Sequence, residues 1–362
     1  MSQRACDTCL ARSWLVARLA GHLDKARSRF EQVLALGDGD LIRAMGGREK
    51  ALLEREFEAV EVDEVRGRAG AAGLEMVCAC DTTYPPGLRA LDAPPAVLYV
   101  AGGLERVVDL LFGEQPVAIV GSRRASPYGL DVARSLGRGL AVAGVTVVSG
   151  MAHGIDSAAH AGALDAGMPT VAVLPGPADR PYPTGKRALH RRIMAHGVAV
   201  SEIAPGTSVW RWMFPARNRI IAALAAMTVV VEAGERSGSL VTARLAREIG
   251  RPVGAVPGRV TAPQAEGSNA LLAGGGARAV RGPQDVLDLL FGAGARRAVD
   301  PRREPSAELR PLLAAIAEGH ETAAAALARA GFEPDKGLAA LAALELEGFV
   351  HRGAGGRLRV AP

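Results

Sequence analysis

The sequence contains few aromatic residues and no long uncharged apolar run. Phe, Trp and Tyr make up 4% of the chain, so stacking on aromatic rings is expected to be a minor term in ligand binding unless Phe214, Tyr128 or Tyr182 supplies it. The longest stretch without a charge, residues 139–155, is interrupted by Gly144, Ser149, Gly150 and His153. A membrane helix needs about 20 mostly apolar residues. We therefore predict that the chain does not span a membrane.

The first residues also lack the apolar segment of a secretory signal, which predicts a cytoplasmic protein. Cysteine is scarce: Cys6 and Cys9 form a CxxC pair, and Cys78 and Cys80 form a CxC pair. Four thiolates could together bind zinc. However, about 70 residues separate the pairs, and the apolar residues 74–80 predict a strand that directs Cys78 and Cys80 to one face. We predict reduced structural thiols, with no metal and no cofactor; a zinc site is the alternative.

The charge of this 362-residue chain is unevenly distributed. With 49% hydrophobic and 22% charged residues, the composition is typical of a globular protein of two or three domains and excludes disordered or collagen-like chains. Residues 116–292 carry 19 Lys and Arg against 11 Asp and Glu, whereas residues 1–115 carry 14 against 18. The basic middle segment indicates an anionic partner such as nucleic acid, the alternative being an ordinary solvated surface.

Hydrophobic periodicity divides the chain into four parts. Residues 1–75 are predicted to form short helices separated by glycines, as in a small module of the SAM or helix-hairpin-helix kind. For this module a packing or protein-contact role is favoured. Residues 76–292 lead into alternating apolar runs and helical stretches, which predict a Rossmann-like α/β domain with a mostly parallel sheet covered on both faces. The predicted strands are residues 117–120, 145–149, 170–174, 198–201, 228–232 and 253–256; the predicted helices are residues 129–143, 155–166, 184–196, 217–226 and 239–249.

A charged, proline-containing linker is predicted over residues 293–305, followed by a winged helix over residues 306–362. Its predicted elements are three helices and a hairpin. The third helix carries Lys336, Glu345 and Glu347 among alanines and leucines, which does not suit base reading in a major groove. A protein-contact role is therefore favoured. The alternative, DNA contact, depends on the arginines of the hairpin, which are Arg352, Arg357 and Arg359.

Several predicted strands end in turns that suit phosphate groups. In open α/β sheets, ligands bind beyond the carboxyl ends of the strands. Glycine and hydroxyl residues lead into a helix at residues 121–129 and again at residues 234–242, where free backbone amides favour anions. Arg217, Asn218 and Arg219 lie at the start of another helix. A row of such turns fits a backbone with repeated phosphates, and we predict that Arg123, Arg217 and Arg219 form one basic pocket.

Two other kinds of site are less well supported. No GxGxxG motif follows the first strand, and the second strand ends in Ser149 instead of an acidic residue, which disfavours an NAD site. His153, Asp156 and His160 resemble metal ligands, but only Asp156 and His160 share a helix face, so we predict that this aspartate caps the helix or bonds a nearby histidine.

An enzyme of another class remains the alternative function. A nucleotide or phosphoribose hydrolase would need a carboxylate at the reacting sugar, for which Glu202, Glu232 and Glu235 are the candidates. No second carboxylate is spaced to pair with any of them. Roles as caps at strand ends or as arginine partners are the alternative for these three residues.

These motifs together resemble the DNA-processing protein family called DprA or Smf. The resemblance covers about residues 80–290 in the family's order, and the flanking helical module and winged helix fit its longer members. It is carried by Tyr84-Pro85, Val120-Gly121-Ser122-Arg123, Ser149-Gly150, Gly154-Ile155-Asp156, Tyr182-Pro183, Ser201-Glu202, Phe214-Pro215, Arg217-Asn218-Arg219, Ser237-Gly238-Ser239, Thr242-Ala243 and Pro257-Gly258.

The resemblance implies a protein that is not an enzyme. It implies binding and protection of single-stranded DNA, help in loading the RecA recombinase during natural transformation or recombination, and a homodimer formed through the Rossmann-like domain. The DNA-binding residues that it implies are Gly121, Ser122, Arg123, Ser149, Gly150, Lys186, Arg187, Phe214, Arg217, Asn218, Arg219, Ser237, Gly238 and Ser239.

Overall fold

The structure is a computed structural model that describes residues 3–112, 115–295, 305–346 and 349–360. The chain divides into two compact units, residues 1–299 and residues 300–362. Most of the predicted linker, residues 296–304, lies outside the described residues. Among the helices that are described, none is both long and apolar enough to cross a membrane.

The first unit is an α/β structure built on one sheet, which has ten strands in the described residues. The strands are β1 (Gln3–Arg4), β2 (Glu75–Cys78), β3 (Val97–Ala101), β4 (Val117–Val120), β5 (Val147–Ser149), β6 (Thr170–Val173), β7 (Val198–Ser201), β8 (Met227–Val230), β9 (Val253–Ala255) and β10 (Arg278–Ala279). The helices are α1 (Asp7–Arg18), α2 (Ala20–Lys25), α3 (Phe30–Leu34), α4 (Asp38–Met45), α5 (Lys50–Glu58), α6 (Val62–Ala71), α7 (Leu104–Leu111), α8 (Pro127–Val142), α9 (Ile155–Asp165), α10 (Arg187–His196), α11 (Met213–Leu224), α12 (Gly238–Glu248), α13 (Glu266–Ala273) and α14 (Pro283–Phe291).

The strand order is β1-β2-β3-β7-β6-β5-β4-β8-β9-β10. All pairs from β7 to β10 are parallel, and β3 is antiparallel to both of its neighbours. The chain runs from β4 toward one edge through β5, β6 and β7, and then returns to place β8 and β9 on the other side of β4. The direction therefore reverses between β4 and β8, and a crevice opens there beyond the strand ends.

Both faces of the sheet are buried, because alternate residues of each strand enter different cores. Val117 and Ile119 of β4 lie in one hydrophobic core, and Ala118 and Val120 lie in the other. The mostly parallel α/β fold is therefore confirmed. Each predicted strand has an observed counterpart whose ends differ by at most two residues.

Helix α11 begins at Met213, four residues before its predicted start. Pro215 lies in its first turn, where the missing backbone N–H leaves no hydrogen bond unmade. The earlier start places Phe214, Arg217 and Asn218 in the first two turns of one helix. This arrangement matters for the candidate site.

The helical residues 1–75 belong to the same compact unit as the sheet. Strand β1 pairs with β2, and the Trp212 indole N–H at the start of α11 donates to the Ala20 carbonyl at 2.9 Å. The hydroxyls of Ser13 and Tyr99 are hydrogen-bonded at 2.8 Å, which joins α1 to β3. The predicted module thus shares its core and its hydrogen bonds with the sheet.

The second unit contains the predicted three helices and hairpin. The helices are α15 (Arg310–Ala317), α16 (Ala323–Ala330) and α17 (Pro334–Leu346), and the antiparallel hairpin consists of β11 (Val350–Arg352) and β12 (Leu358–Val360). Leu312, Leu327, Leu341, Leu344 and Leu358 are buried together at its centre. The arrangement is compatible with a winged helix.

Candidate nucleic-acid interface

A cavity of about 490 Å³ opens beyond the ends of β4 and β8, where the strand order reverses. We call it the switch-point cavity. Its walls are the turn after β4, the first turns of α11 and the turn that leads into α12. The lining residues include Gly121, Ser122, Arg123, Arg124, Phe214, Arg217, Asn218, Glu235, Arg236, Ser237, Gly238 and Ser239.

The turn after β4 is held in place by Glu232. Its carboxylate accepts hydrogen bonds from the Ser126 backbone N–H at 2.9 Å and from the Ser126 hydroxyl at 2.5 Å. Ser126 in turn caps α8 by accepting from the Gly129 N–H at 3.1 Å. Residues 121–124 line the cavity, and Arg123 and Arg124 are exposed to solvent. Both carboxylate oxygens of Glu232 accept these hydrogen bonds, so Glu232 is not free to act as a general base.

The turn into α12 presents a helix N-terminus to the same cavity. The Ser237 Oγ accepts from the Ser239 N–H at 3.3 Å and is hydrogen-bonded to the Ser239 hydroxyl at 2.7 Å. Asn218 Nδ2 donates to the Gly238 carbonyl at 3.2 Å, which ties α11 to the start of α12. The positive end of the α12 dipole therefore adds to the arginines at the cavity mouth and favours an anion there.

An aromatic pair lies beside Arg123. The Arg123 guanidinium carbon is 5.2 Å from the centre of the Phe214 ring, and Tyr182 meets that ring edge-on at a centroid distance of 5.4 Å. A second cavity of about 220 Å³ shares Arg123, Phe214 and Arg217 with the first and is also lined by Gly150 and Tyr182. A cation and two aromatic rings thus stand where the two cavities meet.

Arg217 is buried, with 6% of its surface exposed. It donates to the Gly150 carbonyl at 2.7 Å and to the Val173 carbonyl at 3.2 Å, and its guanidinium is 4.0 Å from the Asp156 carboxylate. Burial raises the pKa of Asp156, and Arg217 opposes that shift. A Cβ on Gly150 would stand 1.4 Å from the Arg217 guanidinium, so only glycine allows this approach. Arg217 therefore holds the loop after β5 against the end of β6.

Arg219 lies apart from the other two arginines, so the prediction of one three-arginine pocket is wrong. Its side chain is 3% exposed, pairs with Glu202, and lines neither the switch-point cavity nor the second cavity. Residues two apart on a helix face opposite sides, and Arg217 and Arg219 are such a pair. Glu202, like Glu232, is therefore engaged by a structural partner. Of the three candidate carboxylates only Glu235 lines the switch-point cavity.

Four further predicted residues line no part of the switch-point cavity: Ser149, Gly150, Lys186 and Arg187, of which Gly150 lines the second cavity. The Ser149 hydroxyl is fully buried and donates to the Ile119 carbonyl at 2.6 Å. Lys186 and Arg187 follow the aromatic Tyr182 but lie outside both cavities. The sequence analysis missed Arg124 and Arg236, although both lie within the glycine and hydroxyl segments that it identified, residues 121–129 and 234–242. Their position in these segments was the available signal.

Neither role predicted for Asp156 is observed, because it does not bond His160 and no side-chain hydrogen bond caps α9. Asp156 accepts from the Ala152 N–H at 3.3 Å and faces Arg217, whereas the His160 ring nitrogen Nδ1 is hydrogen-bonded to the Thr170 hydroxyl at 2.8 Å. Both side chains are buried. They serve packing and positioning around the loop after β5.

The burial of His160 predicts acid sensitivity. Burial lowers the pKa of His160 from 6.5 to about 3. Below pH 6.5 the unfolded chain therefore binds a proton that the folded protein does not, so this contribution to stability is complete above pH 6.5 and is lost as the pH falls toward 3. We expect the unfolding free energy to fall by up to about 1.4 kcal/mol per pH unit from this group in urea titrations between pH 7 and 4.5.

The His160→Asn variant should flatten that pH slope, and His153→Gln, which changes an exposed histidine, should preserve it. An unchanged slope in His160→Asn would contradict the assignment.

Comparison with known proteins shows which family this chain resembles. Residues 75–291 match the family model described as DNA recombination-mediator protein A. A DNA processing protein DprA of Bacillus subtilis is 36% identical over 269 residues, which cover 74% of this chain and 87% of the relative. A putative DNA processing protein DprA of Mycobacterium tuberculosis is 47% identical over 204 residues, 56% of this chain and 52% of the relative. The match thus spans about half the length of that relative.

Two solved structures are similar. The X-ray structure of DprA from Streptococcus pneumoniae superposes with a TM-score of 0.63 at 31% identity, covering 79% of this chain and 98% of that one. DNA processing protein A from Helicobacter pylori, whose structure concerns its single-stranded DNA binding mode, superposes with a TM-score of 0.54 at 30% identity, covering 61% of this chain and 97% of that one.

Proposed function

Because the chain belongs to the DNA recombination-mediator protein A family, we propose that it binds and protects single-stranded DNA without sequence preference and helps to load the RecA recombinase onto it. The observation that carries the proposal is the switch-point cavity. There a helix N-terminus, two glycine turns and exposed arginines converge next to an aromatic pair. The single-stranded DNA binding of the similar Helicobacter pylori protein supports the same reading.

The two components of the site suit the two components of a single strand. Arg123 and the start of α12 offer charge and N–H donors to phosphate oxygens, which carry no base information. The Phe214 ring, beside Tyr182, offers a face or edge to an unstacked base of any kind. In a duplex the bases are stacked inside and cannot reach such a ring. Binding is therefore expected to favour single strands and to tolerate any sequence.

A catalytic role is disfavoured by the state of the carboxylates. Glu232 is engaged by Ser126, and Glu202 is engaged by Arg219. The carboxylates that line the switch-point cavity are Glu235 and Asp156, and Asp156 is buried against the Arg217 guanidinium and accepts from the Ala152 N–H. Hydrolysis of a nucleotide requires an acid and a base in defined positions. We therefore propose that the protein is not an enzyme.

We further propose a cytoplasmic homodimer formed through the α/β unit, as the family resemblance implies. Light scattering over a concentration series tests the oligomeric state. A monomeric mass at every concentration would contradict the dimer.

Fluorescence anisotropy of a labelled oligo-dT against a duplex of the same length, across a salt series, tests the DNA-binding proposal. Preferred binding of the single strand, with a log-log salt slope of about −0.7 per neutralised phosphate, is expected, and equal affinity for the duplex would count against the DNA-binding proposal.

RecA loading is tested by RecA ATPase activity on DNA coated with a single-strand binding protein, with and without this protein. An unchanged RecA ATPase activity would count against the loading proposal.

Deletion of residues 306–362 is expected to leave single-strand affinity within about twofold of wild type. In the second unit, Arg352 is paired with Glu345 at 2.6 Å and Arg357 with Glu321 at 2.8 Å, so their charges are already compensated. We propose that this unit contacts protein. The same anisotropy titration measures the effect, and a loss of about tenfold or more would show that the unit contacts DNA.

A further inference from the structure

Four cysteine sulfurs meet at the start of α1, far from the switch-point residues in sequence. Cys6 immediately precedes α1 and Cys9 lies in its first turn, whereas Cys78 ends β2 and Cys80 lies in the turn that follows. All four Sγ atoms lie within 4.8 Å of one another. The Cys9 and Cys80 sulfurs are 3.8 Å apart, and those of Cys6 and Cys78 are 3.9 Å apart.

Strand pairing removes the objection raised by the sequence separation. Gln3 and Arg4 of β1 pair in parallel with Met76 and Val77 of β2, which carries the CxxC pair to the end of the strand that holds Cys78. The second objection was that a strand over residues 74–80 would direct Cys78 and Cys80 to one face. It fails because β2 ends at Cys78 and the chain turns before Cys80. The direction of the Cys80 side chain is therefore not set by strand geometry. The four thiols, which are predicted to be reduced and structural, therefore form one cluster.

The spacing of the sulfurs fits one tetrahedral ion. Zinc–sulfur bonds of about 2.3 Å place tetrahedral sulfurs about 3.8 Å apart, close to the Cys9–Cys80 and Cys6–Cys78 separations. A backbone amide also faces the sulfurs, because the Cys6 N–H donates to Cys78 Sγ at 3.4 Å. Such N–H donors stabilise thiolates and orient them toward a cation.

We propose that Cys6, Cys9, Cys78 and Cys80 bind one zinc ion as a structural site. Four thiolates complete the tetrahedral shell and leave no position for a substrate, so the ion has a structural role. It fastens the start of α1 to the end of β2 and closes a loop of 72 residues between Cys6 and Cys78. Cys6 and Cys80 are exposed, so the metal is accessible from solvent.

Metal analysis of the full-length protein, purified under reducing conditions and dialysed against zinc, tests the proposal. We expect about one zinc per chain. After exchange into cobalt, the protein should show the intense visible absorption of a tetrahedral thiolate complex, a signature that does not depend on DNA binding. A chelator should remove the ion and lower the melting temperature.

The variant Cys6→Ser/Cys80→Ser changes the two exposed ligands and should lose the bound zinc. Thr8→Ser, an exposed position within the same CxxC segment, is the matched control and should retain it. If the double variant fails to fold, the cobalt spectrum of the wild type still decides the question. Wild-type protein without metal, with iron in place of zinc, or with Cys6–Cys78 and Cys9–Cys80 disulfides found by alkylation and mass spectrometry would overturn the proposal.

Discussion

Replacing Arg123 with alanine is expected to weaken single-strand binding by about tenfold to a hundredfold. The Arg123 side chain is exposed, lines both cavities and lies over the Phe214 ring, so it can contact phosphate and base together. A hydrogen bond to a charged group contributes about 1.5–3 kcal/mol, and about 1.4 kcal/mol corresponds to a factor of ten in affinity. Among the described residues no carboxylate forms a salt bridge with Arg123, so its removal leaves no unpaired partner and we expect little change in stability.

Anisotropy with oligo-dT at several salt concentrations measures this effect. The salt slope should become shallower by about 0.7, the value for one phosphate on a single strand. Arg244→Ala is the matched control, because it removes the same charge from α12 at a position paired with Glu248 and absent from the cavity lining. If Arg123→Ala and Arg244→Ala bind alike, the switch-point cavity is not the DNA site.

Replacing Arg217 with methionine is expected to lower the unfolding free energy by about 3–5 kcal/mol. The change leaves the Asp156 carboxylate buried without its cation and removes the donor that serves the Gly150 and Val173 carbonyls. Removing one partner of a buried ion pair typically costs that much, because the remaining charge is uncompensated. Single-strand affinity should also fall, since the loop after β5 loses its anchor beside the second cavity.

Urea unfolding of a double-mutant cycle separates these contributions. Asp156→Asn in the Arg217→Met background should restore part of the lost stability, because no isolated charge then remains. Arg219→Met provides the contrast: it disturbs the buried pair with Glu202 and should destabilise the fold while leaving single-strand affinity close to wild type. A large affinity loss in folded Arg219→Met would contradict the separation of the two arginines. Strict additivity of Arg217→Met and Asp156→Asn would contradict their pairing.

The fold was largely predictable because a doubly covered sheet leaves a strong pattern in sequence. Strands such as β4 and β6 are short apolar runs between helices, since both of their faces are buried. The glycine and hydroxyl turns at Gly121 and Ser237 were predictable for a related reason. Turns that bring backbone amides toward a ligand require small residues, and such residues stand out between apolar strands and helices.

The direction of individual side chains was less accessible. Helix α11 starts at Met213 and passes between the cavity and the protein core, so Arg217 and Arg219 belong to different environments. The i, i+2 spacing of Arg217 and Arg219 indicates that they face opposite sides of a helix, but which side faces the cavity became clear only once the position of the helix was known. Burial also decided the role of Arg217, whose Nη1 donates to two backbone carbonyls.

The sequence by itself determined the α/β class, the order in which strands and helices follow one another along the chain, and the turns in which a phosphate-binding site could form. These features depend on local periodicity and on residues close together in the chain. Only the tertiary structure decided which turns share one cavity, which carboxylates are already engaged, and that two cysteine pairs about 70 residues apart form one cluster. These features depend on the order of the strands within the sheet and on pairing between distant segments, which local patterns do not encode.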